Sequence, residues 1–86
     1  MAYRVLLKPS ADRDLSKLPQ ATQRRIAAKI AALADTPRPP GVEKLAGGTD
    51  EYRVRVGSYR IVYAIEDDPP VVLILRIADR KDVYRR

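Results

Sequence analysis

Residues 51–63, "EYRVRVGSYRIVY", decide how the rest of the chain is read. Two runs of branched and aromatic residues flank Gly57-Ser58, a Gly-X step that suits the two-residue type II′ turn of a β-hairpin. A turn at those two residues fixes the register: Val56 faces Tyr59, Arg55 faces Arg60 and Val54 faces Ile61. Because strand side chains alternate, Tyr52, Val54, Val56, Tyr59, Ile61 and Tyr63 share one face, and Arg53, Arg55 and Arg60 share the other. Like charges placed opposite one another destabilise a sheet. Three converging guanidiniums therefore need a reason.

Working outward, "YRVLLK" (residues 3–8) reads as a first strand, ended by Pro9. Ser10 is the expected N-cap of a short helix, with Asp12 in its first turn where a carboxylate suits the helix dipole. Leu15 and Leu18 give that helix its apolar side. Pro19 fits the first turn of a second helix that runs to about Asp35, with Ile26, Ile30 and Leu33 forming its stripe and Arg25 and Lys29 on the wet side. "TPRPPG" (residues 36–41) ends it, since prolines cannot continue a helix. Residues 42–50, "VEKLAGGTD", read as a connector with one helical turn near Leu45 and a turn at Gly47-Gly48. Past the hairpin, "AIEDDPP" reads as a loop and "VVLILRI" (residues 71–77) as a well-buried strand. The expected fold is α+β: one domain over residues 1–86, a mostly antiparallel four-stranded sheet in the order β-α-α-β-β-β, with both helices on one face.

Composition narrows the chemistry. The 86 residues are 45% hydrophobic and 33% charged, as in an ordinary globular chain. Cysteine and histidine are both absent, which removes thiolate chemistry together with the commonest general base and metal ligand. No apolar run approaches the ~18 residues of a membrane span, and the N-terminus "MAYRVLLKPS" is too short and too charged for a signal peptide. No membrane partner is expected, and the cytoplasm is the expected location. The net charge of +6 favours an anionic partner. Residues 1–50 carry +4 and residues 51–86 only +2, so a special basic site must come from placement.

If the strand over residues 71–77 lies beside the second hairpin strand, its end brings Arg76 and Arg80 towards Arg60, and Tyr84 can fold back onto the same patch. Such a group meets the needs of RNA cleavage: cationic donors around a phosphate whose charge grows in the transition state, and an acceptor for the 2′-hydroxyl proton. The planar fork of arginine matches phosphate oxygens two at a time, and a tyrosine can stack on a base. The pattern alone supports a small basic domain that binds an anion, set against the plainer reading of a solvated sheet face.

The chain also resembles the RelE/ParE family of toxins from toxin–antitoxin pairs. The likeness runs through "YRVLLKPSADRDLSKLP", "RRIAAKIAAL", "TPRPPGVEKLAG", "YRVRVGSYRIVY" and "VLILRIADRKDVYRR", and its specific parts are "VGSYRIVY" and the R-x-x-x-Y spacing of Arg80 and Tyr84. The resemblance implies an endoribonuclease that cuts messenger RNA on the ribosome, without metal or other cofactor, and is neutralised by a cognate antitoxin in a heterodimer or heterotetramer. Operator DNA would be reached only through the antitoxin. By the same resemblance Arg60 and Arg80 bind phosphate and stabilise charge, and Tyr84 stacks on or activates the nucleotide. Arg53 and Arg55 stand where relatives use lysines, and Arg76 and Lys81 extend the RNA-binding surface. Arginine does not deprotonate, so positions 53 and 55 can only stabilise charge here. Asp79 replaces a basic residue or histidine of many relatives. Tyr84, Asp79 and Asp82 are the candidate bases. ParE-type members poison DNA gyrase instead, and a catalytically weak antitoxin-binding co-repressor is the remaining alternative.

Overall fold

The structure is a computed structural model that describes residues 2–45 and 50–79. The chain runs β1 (Arg4–Leu7), α1 (Pro9–Ser16), α2 (Gln20–Leu33), β2 (Glu43–Lys44), β3 (Glu51–Val56), β4 (Tyr59–Asp67) and β5 (Pro70–Asp79). The sheet order is β1-β5-β4-β3-β2, so the helices carry the chain from one sheet edge to the other. β1 lies parallel to β5 and every other pairing is antiparallel. α1 packs against β5 and β1, and α2 against β1 and β3. Among the described residues no helix is long and apolar enough to cross a membrane.

The hairpin has the register its sequence dictates, with Val54 opposite Ile61, Arg55 opposite Arg60 and Val56 opposite Tyr59. Gly57 has φ +59 and Ser58 does not have a positive φ, the pattern of a type II′ turn. A side chain at Gly57 would also press on the Arg25 guanidinium, 3.0 Å from where a Cβ would sit. Tyr52, Val54, Ile61 and Tyr63 are buried under the helices with Ile26, Ile30 and Leu33. Val56, Tyr59, Leu15 and Leu18 pack at the rim of that core.

Several expectations need correction. The sheet has five strands, because Glu43–Lys44 of the connector pairs with β3 in place of a helical turn. The turn expected at Gly47-Gly48 lies outside the described residues. "AIEDDPP" is mostly strand: β4 continues to Asp67 and β5 begins at Pro70, leaving a two-residue turn. Ser10 does not cap α1, which starts at Pro9 with Lys8 in the cap position. A proline at the first helical position needs no hydrogen bond for its nitrogen, so the start moves back to it. Pro19 precedes α2 in the cap position, and the helix ends at Leu33.

β5 is not a uniformly buried strand. A bulge sets Val62 opposite Arg76 and Tyr63 opposite Ile74, leaving one extra residue in β5. Strict alternation would send Ile74 and Ile77, three apart, to opposite faces. The extra residue shifts the phase, and both are buried together with Val72.

The arginine cleft as a candidate functional site

On the sheet face away from the helices, Gly41, Glu43, Arg53, Arg55 and Arg60 line a cavity of ≈ 380 Å³. The hairpin supplies the three arginines by alternation: positions 53 and 55 of β3 face the same way, and Arg60 sits directly across from Arg55. β2 adds the fourth wall by pairing Glu43 with Arg53. Gly41, at φ +86, lets the incoming loop turn into that edge.

The charges in this cleft are coupled. Arg53 donates from both Nε (3.1 Å) and Nη2 (2.8 Å) to Glu43 Oε1. Those hydrogen bonds, with the charge of Arg53 and smaller contributions from Arg60 and Arg55, hold the Glu43 carboxyl below the ordinary carboxylate range. Among the described residues the cleft holds three guanidiniums and one carboxylate, and Arg60, at 4% exposure, is the one charged residue among them that is buried. Burial removes the solvent that would screen its field, so an anion in the cleft feels Arg60 more strongly than an exposed cation at equal distance. The described lining therefore favours an anion, and Glu43 is an ionised group in it able to accept a proton.

Of the residues singled out in the sequence, Arg53, Arg55 and Arg60 are brought together. Arg76 is not. Its Nε donates to Asp14 Oδ2 at 2.8 Å, so the side chain belongs to a groove between α1 and the ends of β4 and β5. The register does not separate it from the arginines, since Arg76 pairs with Val62 and Val62 with Arg53; the bond to Asp14 of α1 is what draws the side chain to that groove. Asp79 ends β5 opposite Tyr59 and lines that same groove. Arg80, Lys81, Asp82 and Tyr84 lie outside the described residues. Glu43 and Gly41 are the residues that sequence reasoning missed. The available signal was the charge complement of Glu43 and Arg53, which becomes a cross-strand pair once "VEK" is taken as an edge strand.

Comparison with known proteins agrees with this architecture. The family described as "ParE toxin of type II toxin-antitoxin system, parDE" matches residues 5–84. Toxin RelG of Mycobacterium tuberculosis is 38% identical, with 100% of both chains covered. The archaeal RelE–RelB complex from Pyrococcus horikoshii contains a chain 33% identical over 100% of both chains, superposing with a TM-score of 0.83. The RelBE2 toxin–antitoxin complex of M. tuberculosis gives the same TM-score at 29% identity, with 93% of each chain covered. Matched along almost its entire length in sequence and in fold, the chain belongs to the RelE/ParE family of toxins of toxin–antitoxin pairs.

Proposed function

We propose that this toxin is an endoribonuclease that cleaves messenger RNA on the ribosome through the RNA's own 2′-hydroxyl. The observation that carries the reading is the cleft that Arg53, Arg55 and Arg60 line together with Glu43. A phosphodiester entering the cleft is met by planar donors suited to its oxygens. It also takes over Arg53, which weakens the hold of that side chain on Glu43. The carboxylate then regains basicity and accepts the 2′-OH proton. The 2′-oxygen attacks the adjacent phosphorus, the bond to the 5′-oxygen breaks, and that oxygen takes a proton from solvent. The products are a 2′,3′-cyclic phosphate and a 5′-hydroxyl. The guanidiniums stabilise the extra negative charge of the transition state, so the route requires no metal ion.

Arg80 and Tyr84 complete the site in this proposal, as an additional phosphate donor and a base-stacking ring. Lys81 and Arg76 would serve as outer contacts to RNA. Asp79, Asp82 and the Tyr84 phenolate are the competing bases, and substitution separates them from Glu43. Glu43→Gln should slow cleavage by about 10²–10⁴-fold, the range for loss of a general base. It should not weaken binding of an RNA whose scissile 2′-hydroxyl is replaced by hydrogen, because a negative charge has left an anion site. Full activity in Glu43→Gln with loss in Asp79→Asn would transfer the role.

By likeness to the RelE–RelB complexes, the partner is a cognate antitoxin, and the cytoplasm is the location this reading proposes for the pair. Co-purification with the product of the neighbouring gene tests the first point. The ParE family match keeps gyrase as the second target to be tested. Primer extension on cells expressing the chain alone separates the two. Cuts within translated codons are expected, whereas intact messages with trapped gyrase–DNA breaks would reverse the assignment.

A further inference from the structure

The cleft depends on a two-residue strand. β2 pairs with β3 over two residues, Glu43 opposite Arg53 and Lys44 opposite Tyr52, and one further backbone bond follows from Leu45 N to Glu51 O at 2.8 Å. A slip of one residue exchanges the faces of a strand, so it would withdraw Glu43 from the cleft and present Lys44 there instead. The preceding loop is poorly able to prevent this with its own backbone. Pro37, Pro39 and Pro40 have no N–H to donate, and Val42 N to Pro39 O (3.1 Å) is a turn bond within the loop itself.

Side chains from the core face of the hairpin supply what the loop lacks. Tyr63 Oη donates to Pro37 O at 2.8 Å. Arg38 Nε donates to Tyr52 Oη at 3.0 Å, and the guanidinium lies 5.3 Å from the centre of the Tyr52 ring. The two tyrosines are register partners and stack with centroids 5.9 Å apart. On the outer side Arg38 reaches Asp67 at 3.5 Å, and Asp67 in turn accepts a 2.6 Å bond from Tyr3. Tyr52 and Arg53 are neighbours in β3 facing opposite ways. One strand therefore grips the loop from both faces, Tyr52 through Arg38 and Arg53 through Glu43.

We propose that Arg38, Tyr52 and Tyr63 are positioning residues that clamp the proline-rich loop and so set the register in which Glu43 meets Arg53. This rests on the reading of the cleft given under the proposed function. It adds three residues outside the cleft that act through Glu43 without touching RNA.

The test is the titration of the Glu43 carboxyl by carbon NMR in the RNA-free protein, comparing wild type with Tyr52→Phe, Tyr63→Phe and the double variant. Each substitution keeps a ring in the core and removes one hydroxyl. The Glu43 midpoint should rise towards the ordinary carboxylate value in the single variants and further in the double one. Turnover at saturating RNA should fall on the order of tenfold, with KM unchanged, as expected when a reacting group is misplaced by a fraction of an ångström. Ser10→Ala, which removes a bond to Leu75 O far from the loop, is the control for lost stability: it should lower Tm and leave the Glu43 midpoint in place. If the tyrosine variants behave like that control, the clamp is refuted and the hydroxyls serve only folding. Because the titration uses no RNA, a chain that fails to cleave still reports on the clamp. A moved midpoint in a protein without nuclease activity would sustain the clamp and remove the nuclease. Should the double variant not fold, Tyr63→Phe alone decides by the same two readouts.

Discussion

Arg60 shows how much a single position can be asked to do. It is a buried cation whose cross-strand register partner is another arginine. If its place is explained by a developing phosphate charge, Arg60→Ala should slow RNA cleavage by about 10²–10³-fold, the usual cost of one oxyanion donor. Arg60→Lys should recover little of that loss, since an ammonium lacks the planar fork. Single-turnover rates measure both. A lysine variant with wild-type rate would reduce Arg60 to a generic charge. Tyr63 makes the opposite case, of a polar group kept neutral. Burial, and then the nearby Tyr52, push its phenol up to about 12. A pKa raised on folding means that the folded state holds the proton longer than the unfolded chain does. The resulting stability is fully present below the ordinary value of 10.0 and is lost as pH rises through about 12. Denaturant midpoints should therefore fall across that alkaline window, and the Tyr63→Phe protein should lack this part of the decline.

At the scale of elements, the sheet edge beyond the end of β1 is closed by side chains. β1 pairs with β5 only as far as Ile74, and past that point α1 takes over. Ser10 Oγ donates to Leu75 O at 2.9 Å, and Asp14 Oδ2 accepts Ile77 N at 2.9 Å as well as Arg76 Nε. Asp14→Ala should cost about 1–3 kcal/mol, because it leaves a part-buried N–H without its acceptor. Arg76→Ala should cost less than about 1 kcal/mol, since that guanidinium is largely exposed. Chemical denaturation gives both values, and faster amide exchange at Ile77 in the first variant alone would locate the cause. The hairpin and the stripe of α2 were legible because each carries a clear period and a breaking residue. Residues 43–44 were not, because two exposed polar residues have no period to read. "VVLILRI" hid its bulge for a related reason: in a run of apolar residues, a phase change leaves no mark. The destination of Arg76 was not legible for another reason, since its partner Asp14 is 62 residues away in sequence, and alternation assigns Arg60 to a face but not to a depth.

For the whole molecule, the question is whether its net charge of +6 or the placement of a few cations governs RNA binding. The two make different predictions about salt. Each phosphate neutralised on a single strand contributes about −0.7 to the slope of log affinity against log salt. If binding is concentrated in the cleft, Arg53→Gln and Arg55→Gln should each make the slope shallower by up to that amount, and the double variant by nearly twice as much. Lys29→Gln on α2 alters the total charge equally but stands on the helix side of the sheet, and should leave the slope almost unchanged. Diffuse attraction would instead make all three substitutions equivalent. Arg53 is expected to show the smaller effect of the two cleft arginines, because in the free protein it is already engaged by Glu43 and must exchange one anion for another. Combining Arg53→Gln with Glu43→Gln tests this coupling. With the carboxylate gone, the contribution of Arg53 to the slope should rise to match that of Arg55. Fluorescence titrations of a 2′-deoxy-blocked oligonucleotide at several salt concentrations would measure it without interference from cleavage. An unchanged Arg53 contribution would mean that the ion pair persists in the complex and that Glu43 is not released by RNA.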